Sequence, residues 1–362
     1  MAKFEGVKWA PHQMRYLLTG REFDILEPDA RVFAVSKSVH YGAFLCFEGI
    51  RFFSRKTSSG TLEIVFLNWD KNLERFRRGI SYNLSRDQQD LVPTLDDLES
   101  LIVRQYLGDP SMREFLEEMA GFEAQGYLRP FTIDEEQSMG VTFPNRPAIR
   151  AAACRYENYL GEPFSGAVIP DMVRALGING TGCLKLGINY LMSVKAVDAA
   201  QDIDPEAASA LFLDDRPDDP IERRHITEWD SSCCLFGFRD GTIVKIPEHN
   251  LILPSVTIQG MTAILKSHDV PVVERHILYG ELVEKTHSKE LVVTASIGTA
   301  GVMNRCHKLT LTDRDKNIVA VHEPDTGHPL WTKLAEAKAA YLDIYKDKAP
   351  LPPGMKLCRY TL

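Results

Sequence analysis

The most constraining stretch of this 362-residue sequence is a single lysine set among glycines. Lys185 lies between Gly182 and Gly187, and apolar residues recur at helical spacing from Tyr190 onward. Because glycine allows tight turns and close approach to the backbone, the pattern predicts a lysine in a glycine-lined pocket just before a helix. A desolvated lysine has a lowered pKa and can form a Schiff base. The motif alone leaves open the alternative of an exposed loop lysine.

Composition limits the function classes. The net charge of −8 without an evident basic face argues against a general nucleic-acid binder, and the length favours two domains. No apolar run reaches the roughly 18 residues that suggest a membrane span. Seven scattered cysteines, an odd number, indicate a reducing compartment, so we expect a cytoplasmic protein. No His/Cys group has zinc-site spacing, and we expect no metal.

Alternating strand and helix patterns predict an α/β or α+β protein of two domains. We predict a small N-terminal α/β domain over residues 1–158, an interdomain linker over 159–178, and a large C-terminal domain over 179–362 that carries the lysine. Glycines and prolines mark the linker. Residues 1–30 resemble an irregular lead-in and 31–36 a strand. Further predictions are strands over 62–67, 126–133 and 148–155, and helices starting near Asn68, Thr94 and Trp331.

Separate, individually weak signals suggest the parts of one site that binds a phosphate and forms a Schiff base. Thr299 lies in a Gly-Thr-Ala-Gly turn whose amides and hydroxyl suit an anion. Val256 and Thr257 precede a helix, and helix N-termini attract phosphate. Arg75 is a candidate for a forked contact to phosphate. Glu228 ends a strand and is a candidate partner of a protonated pyridine nitrogen.

The order and spacing of these blocks resemble the class IV pyridoxal-phosphate aminotransferases, and among them the eukaryotic-type branched-chain aminotransferases. The resemblance runs from about residue 33 to 306. The matching blocks are His40-Tyr41, Phe47-Glu48-Gly49, Asn72 to Arg75, Tyr127-Leu128-Arg129-Pro130, Gly180 to Tyr190, Ile226-Thr227-Glu228, Leu253 to Thr257, and Gly298-Thr299-Ala300.

The resemblance implies a D-amino acid aminotransferase-like fold (fold type IV) with its active site between the domains. It implies pyridoxal 5'-phosphate held by a Schiff base to Lys185, the catalytic base. The implied cofactor-binding residues are Arg75, Lys185, Tyr190, Glu228, Val256, Thr257 and Thr299. The implied substrate-binding residues are Tyr41, Phe47, Tyr127, Arg129, Ser231, Thr299 and Ala300. It also implies amino acid and 2-oxo acid substrates and a homodimer.

The chain departs from the family pattern near the pocket. Ile258 replaces an arginine, and the segment from Trp229 to Cys234 is one residue longer than usual, with a tryptophan bulky enough to reshape a pocket. Three functions therefore stay open. The first is transfer of the amino group of a hydrophobic or branched-chain L-amino acid to 2-oxoglutarate. The second is a specialised-pathway transaminase or lyase acting on an unusual amino acid. The third is a non-catalytic family member.

Overall fold

The computed structural model describes residues 4–160, 162–175 and 180–362. In chain order its strands are β1 (Phe4–Glu5), β2 (Lys8–Leu17), β3 (Glu22–Leu26), β4 (Ile50–Lys56), β5 (Leu62–Leu67), β6 (Gln125–Asp134), β7 (Pro147–Tyr156), β8 (Asn158–Tyr159), β9 (Phe164–Ile169), β10 (Ala207–Leu213), β11 (Ile226–Trp229), β12 (Cys233–Phe238), β13 (Ile243–Lys245), β14 (Val272–Glu274), β15 (Leu291–Gly298), β16 (Val302–Thr312), β17 (Ile318–His322) and β18 (Leu357–Thr361). Its α-helices are α1 (Lys37–Tyr41), α2 (Trp69–Tyr82), α3 (Leu95–Glu99), α4 (Arg113–Gly121), α5 (Tyr190–Ile203), α6 (Val256–Ser267), α7 (Tyr279–His287) and α8 (Pro329–Tyr345).

The chain forms two compact units. The N-terminal unit comprises Phe4–Asn158, Leu184–Ile188 and Lys356–Leu362. The C-terminal unit comprises the described residues of Tyr159–Cys183 and Asn189–Met355.

This grouping differs from the predicted domains in two respects. The predicted linker over 159–178 contains β9, a fully buried inner strand of the C-terminal unit, which its glycine and proline content had obscured. Residues 161 and 176–178 of that linker lie outside the described residues. The lysine segment was assigned to the C-terminal domain, but Leu184–Ile188 belongs to the N-terminal unit because its backbone pairs there.

The N-terminal unit is built on a seven-stranded antiparallel sheet in the order β18-β5-β4-β6-β7-β2-β3. Helix α2 buries Leu73, Phe76 and Ile80, as their spacing predicted. Helix α3 begins at a capping box in which the Thr94 hydroxyl accepts from the Asp97 amide and the Asp97 carboxylate accepts in return. These apolar faces and the sheet enclose one hydrophobic core.

The C-terminal unit is built on a nine-stranded mixed sheet. Its order is β11-β10-β9-β16-β15-β12-β13-β14, with β17 paired to β16. Strand β9 runs parallel to both neighbours. Helix α5 packs on β9 and β10 through Ala196 and Ala200. Its larger apolar residues Leu191 and Val194 are 67% and 69% exposed, so the small residues form its buried face.

Several local predictions are confirmed and two are wrong. The strands over 62–67, 126–133 and 148–155 and the helices near Asn68, Thr94 and Trp331 are present. The first 30 residues are not irregular, because β2 and β3 form the sheet's edge. Residues 31–36 are not a strand and instead lead into α1. Among the described residues, no helix is both long enough and apolar enough to cross a membrane.

Candidate active site

The lysine segment pairs with the strand-like residues of the N-terminal unit that precede β4. The Phe47 amide donates to the Lys185 carbonyl at 3.0 Å, and the Gly187 amide donates to the Leu45 carbonyl at 2.9 Å. Cys46 and Leu186 face each other across this antiparallel bridge. Two backbone hydrogen bonds therefore fix the segment on both sides of Leu186. They hold in place the backbone from which the Lys185 side chain extends.

Both ends of that segment are tied within the C-terminal unit. The Asn189 side chain accepts from the Thr181 hydroxyl at 2.9 Å and donates to the Thr181 carbonyl at 2.8 Å. Only glycine fits at position 182, because a Cβ there would lie 2.4 Å from the Asn250 carbonyl oxygen. The predicted close approach to this glycine is therefore made by the chain's own backbone.

Aromatic and charged groups surround the lysine amine in the N-terminal unit. The Lys185 Nζ lies 5.0 Å from the centre of the Phe47 ring. Burial, followed by the nearby Arg75 charge, lowers the pKa of the Lys185 amine to about 8, while the Glu48 carboxylate opposes the shift. The pKa of this lysine is thus lowered, as the sequence predicted, and about a fifth of its amine is neutral near physiological pH.

Arg75 is held by a carboxylate that the sequence did not single out. The Arg75 Nε and Nη2 atoms donate to the two oxygens of Glu48 at 2.6 and 2.7 Å, and Asn72 donates to the same carboxylate at 3.3 Å. The side chains of Arg75 and Glu48 are 5% and 0% exposed. The Phe-Glu-Gly block contained this acid, but its pairing joins residues 27 apart and has no local signal.

Tyr127, Arg129 and Phe47 form a second group in the same unit. Arg129 donates to the Tyr127 hydroxyl at 2.6 Å, and its guanidinium lies 4.5 Å from the Phe47 ring centre. Arg129 therefore contacts two other predicted substrate-binding residues. Tyr41 ends α1 instead, with its ring against His40 and 43% of the residue exposed.

In the C-terminal unit, Glu228 is a buried acid with two donors on one oxygen. Its Oε1 atom accepts from the Leu253 amide at 3.2 Å and is paired with Arg174. The guanidinium of Arg174 also donates to the carbonyls of Gly182 and Leu251. Sequence reasoning missed Arg174, which lies in the stretch interpreted as linker.

Two backbone features of this unit suit an anion. Helix α6 starts at Val256 and Thr257, whose backbone amides are among those that an α-helix leaves without an intrahelical acceptor. Thr299 and Ala300 lie in the three-residue turn between β15 and β16. Tyr190 is the first residue of α5.

Ser231 lies close to that turn. Its hydroxyl is 3.4 Å from the Tyr159 hydroxyl, and a Cβ on Gly301 would lie 3.2 Å from the Tyr159 ring. The neighbouring Ser232 lies against Gly298 and hydrogen-bonds with the Ser296 hydroxyl. Tyr159 therefore joins Ser231 to the 299–301 turn, a contact that the sequence did not predict.

Trp229 does not act as the sequence suggested. Its ring is fully buried in the sheet, packs edge-on against Phe164 and donates to the Ala295 carbonyl at 3.2 Å. It also occupies the space beside Gly166. Because successive strand residues face opposite sides of a sheet, Trp229 lies on the side away from Glu228. Its bulk fills the core rather than the Glu228 side.

The sequence is similar to curated branched-chain aminotransferases. It is 26% identical over 296 residues to branched-chain-amino-acid aminotransferase 2 of Bacillus subtilis, covering 81% of this chain and 73% of the relative. It is 25% identical over 324 residues to the cytosolic branched-chain-amino-acid aminotransferase of Saccharomyces cerevisiae, covering 86% and 78%. A match to the Mycolicibacterium smegmatis enzyme, at 29% identity, spans half of that relative. No family model matches the chain.

Solved structures share the fold. The Escherichia coli branched-chain aminotransferase superposes with a TM-score of 0.68 at 19% identity, covering 95% of this chain and 98% of that one. The Thermoproteus uzoniensis enzyme, solved with norvaline, gives 0.67 at 19% identity, covering 93% and 96%. A third branched-chain aminotransferase, complexed with N-(5'-phosphopyridoxyl)-L-glutamate, gives 0.63 at 19% identity, covering 97% of both chains.

The fold is thus fold type IV, and the class of protein is an aminotransferase enzyme. Within that class the chain resembles the branched-chain aminotransferases, as its sequence motifs predicted.

Proposed function

We propose that this chain is a pyridoxal-phosphate-dependent aminotransferase that moves the amino group of a hydrophobic or branched-chain L-amino acid to 2-oxoglutarate. The observation that carries the proposal is Lys185, whose amine has a pKa of about 8 and lies beside Phe47 and near Arg75. The residues of each unit suit the cofactor. The N-terminal unit offers an amine and a buried guanidinium, and the C-terminal unit offers a helix N-terminus. When bound, the cofactor supplies an aldehyde and an electron-accepting ring.

The proposed roles follow from the chemistry of each residue. Lys185 would hold the cofactor through its amine, and the same amine, when free, would act as a general base for the Cα proton of the substrate. Glu228, which is paired with Arg174, would stabilise a proton on the pyridine nitrogen. Arg75 and the amides of Val256 and Thr257, with Thr299, bind the phosphate, and Tyr190 binds at the ring.

The substrate proposal depends on a different group. The guanidinium of Arg129, oriented by the Tyr127 hydroxyl, provides a forked donor for a carboxylate. Phe47 contributes an apolar surface beside it. We propose that the Phe47 surface binds the side chain of a hydrophobic amino donor and that Arg129 binds a carboxylate of a dicarboxylic acceptor. Ser231 and Ala300 are further proposed substrate contacts. Tyr41 stays a predicted contact from the partner subunit.

We further propose a homodimer. The N-terminal unit exposes large apolar side chains from two adjacent segments, which we call the apolar patch: Val32, Phe33, Val35, Val39, Tyr41, Met139, Val141 and Phe143. The segments are joined, because the Ser138 amide donates to the Val35 carbonyl at 3.0 Å and Lys37 donates to the Phe143 carbonyl. Contiguous apolar surface of this kind marks a protein interface. Cytoplasmic location stays a prediction of the sequence.

The first experiment tests cofactor attachment. Apoprotein mixed with pyridoxal 5'-phosphate is expected to gain an absorption band near about 410–430 nm. Lys185→Ala is expected to abolish the band, whereas Lys195→Ala, at an exposed lysine of α5, keeps it. Band formation should accelerate as the pH rises through about 8, because only the neutral amine attacks. A band unchanged in Lys185→Ala would refute the proposal.

The second experiment tests the reaction. Leucine, isoleucine or valine should convert the bound cofactor to its pyridoxamine form, and 2-oxoglutarate should restore the original band. Conversion by other amino acids only would reject the branched-chain substrate and retain the aminotransferase. Release of product without any pyridoxamine form would indicate a lyase.

A further inference from the structure

The structure assigns Arg174 a role beyond the motif residues. We propose that Arg174 is a positioning residue that holds Glu228 ionised and in one orientation for the cofactor's pyridine nitrogen. This inference rests on the proposed function, because it concerns the same cofactor. The assignment comes from one buried ion pair and from the two backbone segments that the same guanidinium joins.

The first step is electrostatic. Glu228 lies at the end of β11 with 5% of its side chain exposed, and Arg174 is equally buried. A carboxylate at such depth takes up a proton unless a cation or several donors stabilise its charge. Arg174 and the Leu253 amide both contact the Oε1 atom of Glu228, so two donors stabilise the negative charge of this carboxylate.

The second step is geometric. Arg174 Nη2 donates to the Gly182 carbonyl at 3.0 Å and to the Leu251 carbonyl at 2.9 Å. Gly182 stands three residues before the reactive lysine, and Leu251 stands in the segment that leads into α6. The ion pair with Glu228 is made by the same nitrogen, so one atom of the guanidinium joins the acid to both carbonyls. The guanidinium therefore fixes the acid relative to the segments that carry Cys183 and Val256.

The third step separates this role from simple packing. A packing role predicts loss of stability with unchanged cofactor chemistry. A role through Glu228 predicts that the loss in affinity depends on pH and on the presence of the acid. Removing the cation beside a buried carboxylate favours its protonated form, so the variant should lose the Glu228 charge increasingly as the pH falls.

The experiment uses pyridoxamine 5'-phosphate, whose amine cannot react with Lys185, and measures its dissociation constant by titration calorimetry from pH 6 to 9. Arg174→Met is expected to weaken binding about tenfold or more, increasingly as the pH falls. Arg174→Lys is expected to restore part of the affinity. In a Glu228→Gln background, Arg174→Met is expected to change the affinity little.

The matched control is Arg224→Met. Arg224 is a buried arginine of the same unit, paired with Asp214 and bonded to the Pro170 and Asp214 carbonyls. Its loss should lower the unfolding midpoint without a pH-dependent loss of affinity. Equal affinity profiles for Arg174→Met and the wild type, or equal losses with and without Glu228, would overturn the proposal.

Two safeguards keep the outcomes distinct. If Arg174→Met does not fold, as judged by circular dichroism, Arg174→Gln carries the test, because it removes the charge and keeps hydrogen-bond donors. A wild-type pH profile in that variant overturns the proposal. If the wild-type protein binds neither pyridoxal nor pyridoxamine 5'-phosphate, the proposed function itself fails.

Discussion

At the scale of single residues, the site depends on charges that are buried in pairs. Glu48 and Arg75 are almost inaccessible to water, and each would be costly without the other. The pair also lies close enough to influence the lysine amine in opposite directions. If Arg75 binds the phosphate as proposed, this pairing keeps the arginine oriented before any ligand arrives, which reduces the entropy lost on binding.

This arrangement predicts a large effect of Glu48→Gln on the apoprotein. The substitution leaves the Arg75 charge buried beside a neutral amide, so unfolding in urea should show a loss of about 3–5 kcal/mol. The matched control is Glu117→Gln in the exposed Arg113–Glu117 pair, whose side chains are 58% and 39% exposed. That control should lose at most about 0.5 kcal/mol. Similar small losses in both variants would contradict a paired, buried Arg75.

At the scale of secondary-structure elements, a glycine in β9 lets the large Trp229 side chain of β11 pack against it. A Cβ on Gly166 would lie 2.6 Å from the Trp229 ring, closer than any real contact. The glycine in β9 therefore makes room for the tryptophan of β11. This explains the tryptophan after Glu228 by packing rather than by substrate choice.

Gly166→Ala is accordingly expected to destabilise the protein by about 1–3 kcal/mol through overpacking. Trp229→Leu in the same chain should recover part of that loss, because the smaller side chain releases the contact. Urea unfolding of the two single variants and the double variant measures the coupling. Gly121→Ala provides the control, since nothing lies within 4 Å of a Cβ there. Additive losses in the double variant would disprove the contact.

The elements also show what sequence patterns can reveal. Helices α2 and α3 were predictable because apolar spacing and the Thr94 cap are local signals. Strand β2 was missed because its pairing with β7 is irregular between Trp9 and Gln13, which interrupts the alternation.

The candidate site likewise contains residues that local sequence patterns predict and residues that only the tertiary fold brings together. The lysine motif was recognisable because its glycines and helix are contiguous in sequence. The partners Glu48 of Arg75 and Arg174 of Glu228 were not, because those pairs join distant segments through the tertiary fold. Tyr159 was missed for the same reason, since its contacts to Ser231 and the 299–301 turn are long-range.

At the scale of the whole molecule, the apolar patch is the feature that a single chain does not explain. Met139 and Val141 are 76% and 84% exposed, although the segment that carries them is anchored by hydrogen bonds from Lys37 to Phe143 and Asn145. An anchored segment that presents apolar side chains to water costs free energy unless another surface covers it. A second copy of the chain is the occupant that the proposed homodimer provides.

Val141→Asp is therefore expected to weaken the dimer about tenfold or more, because a charge would be desolvated at the interface. Sedimentation velocity over a concentration series measures the shift toward monomer. Phe122→Asp is the control, since Phe122 is 71% exposed in the same unit but outside the apolar patch. If Val141→Asp remains dimeric at the same concentrations as the wild type, the patch is not the contact surface. If both variants dissociate alike, the loss reflects added charge rather than position, and only a selective effect of Val141→Asp places the second chain on this patch.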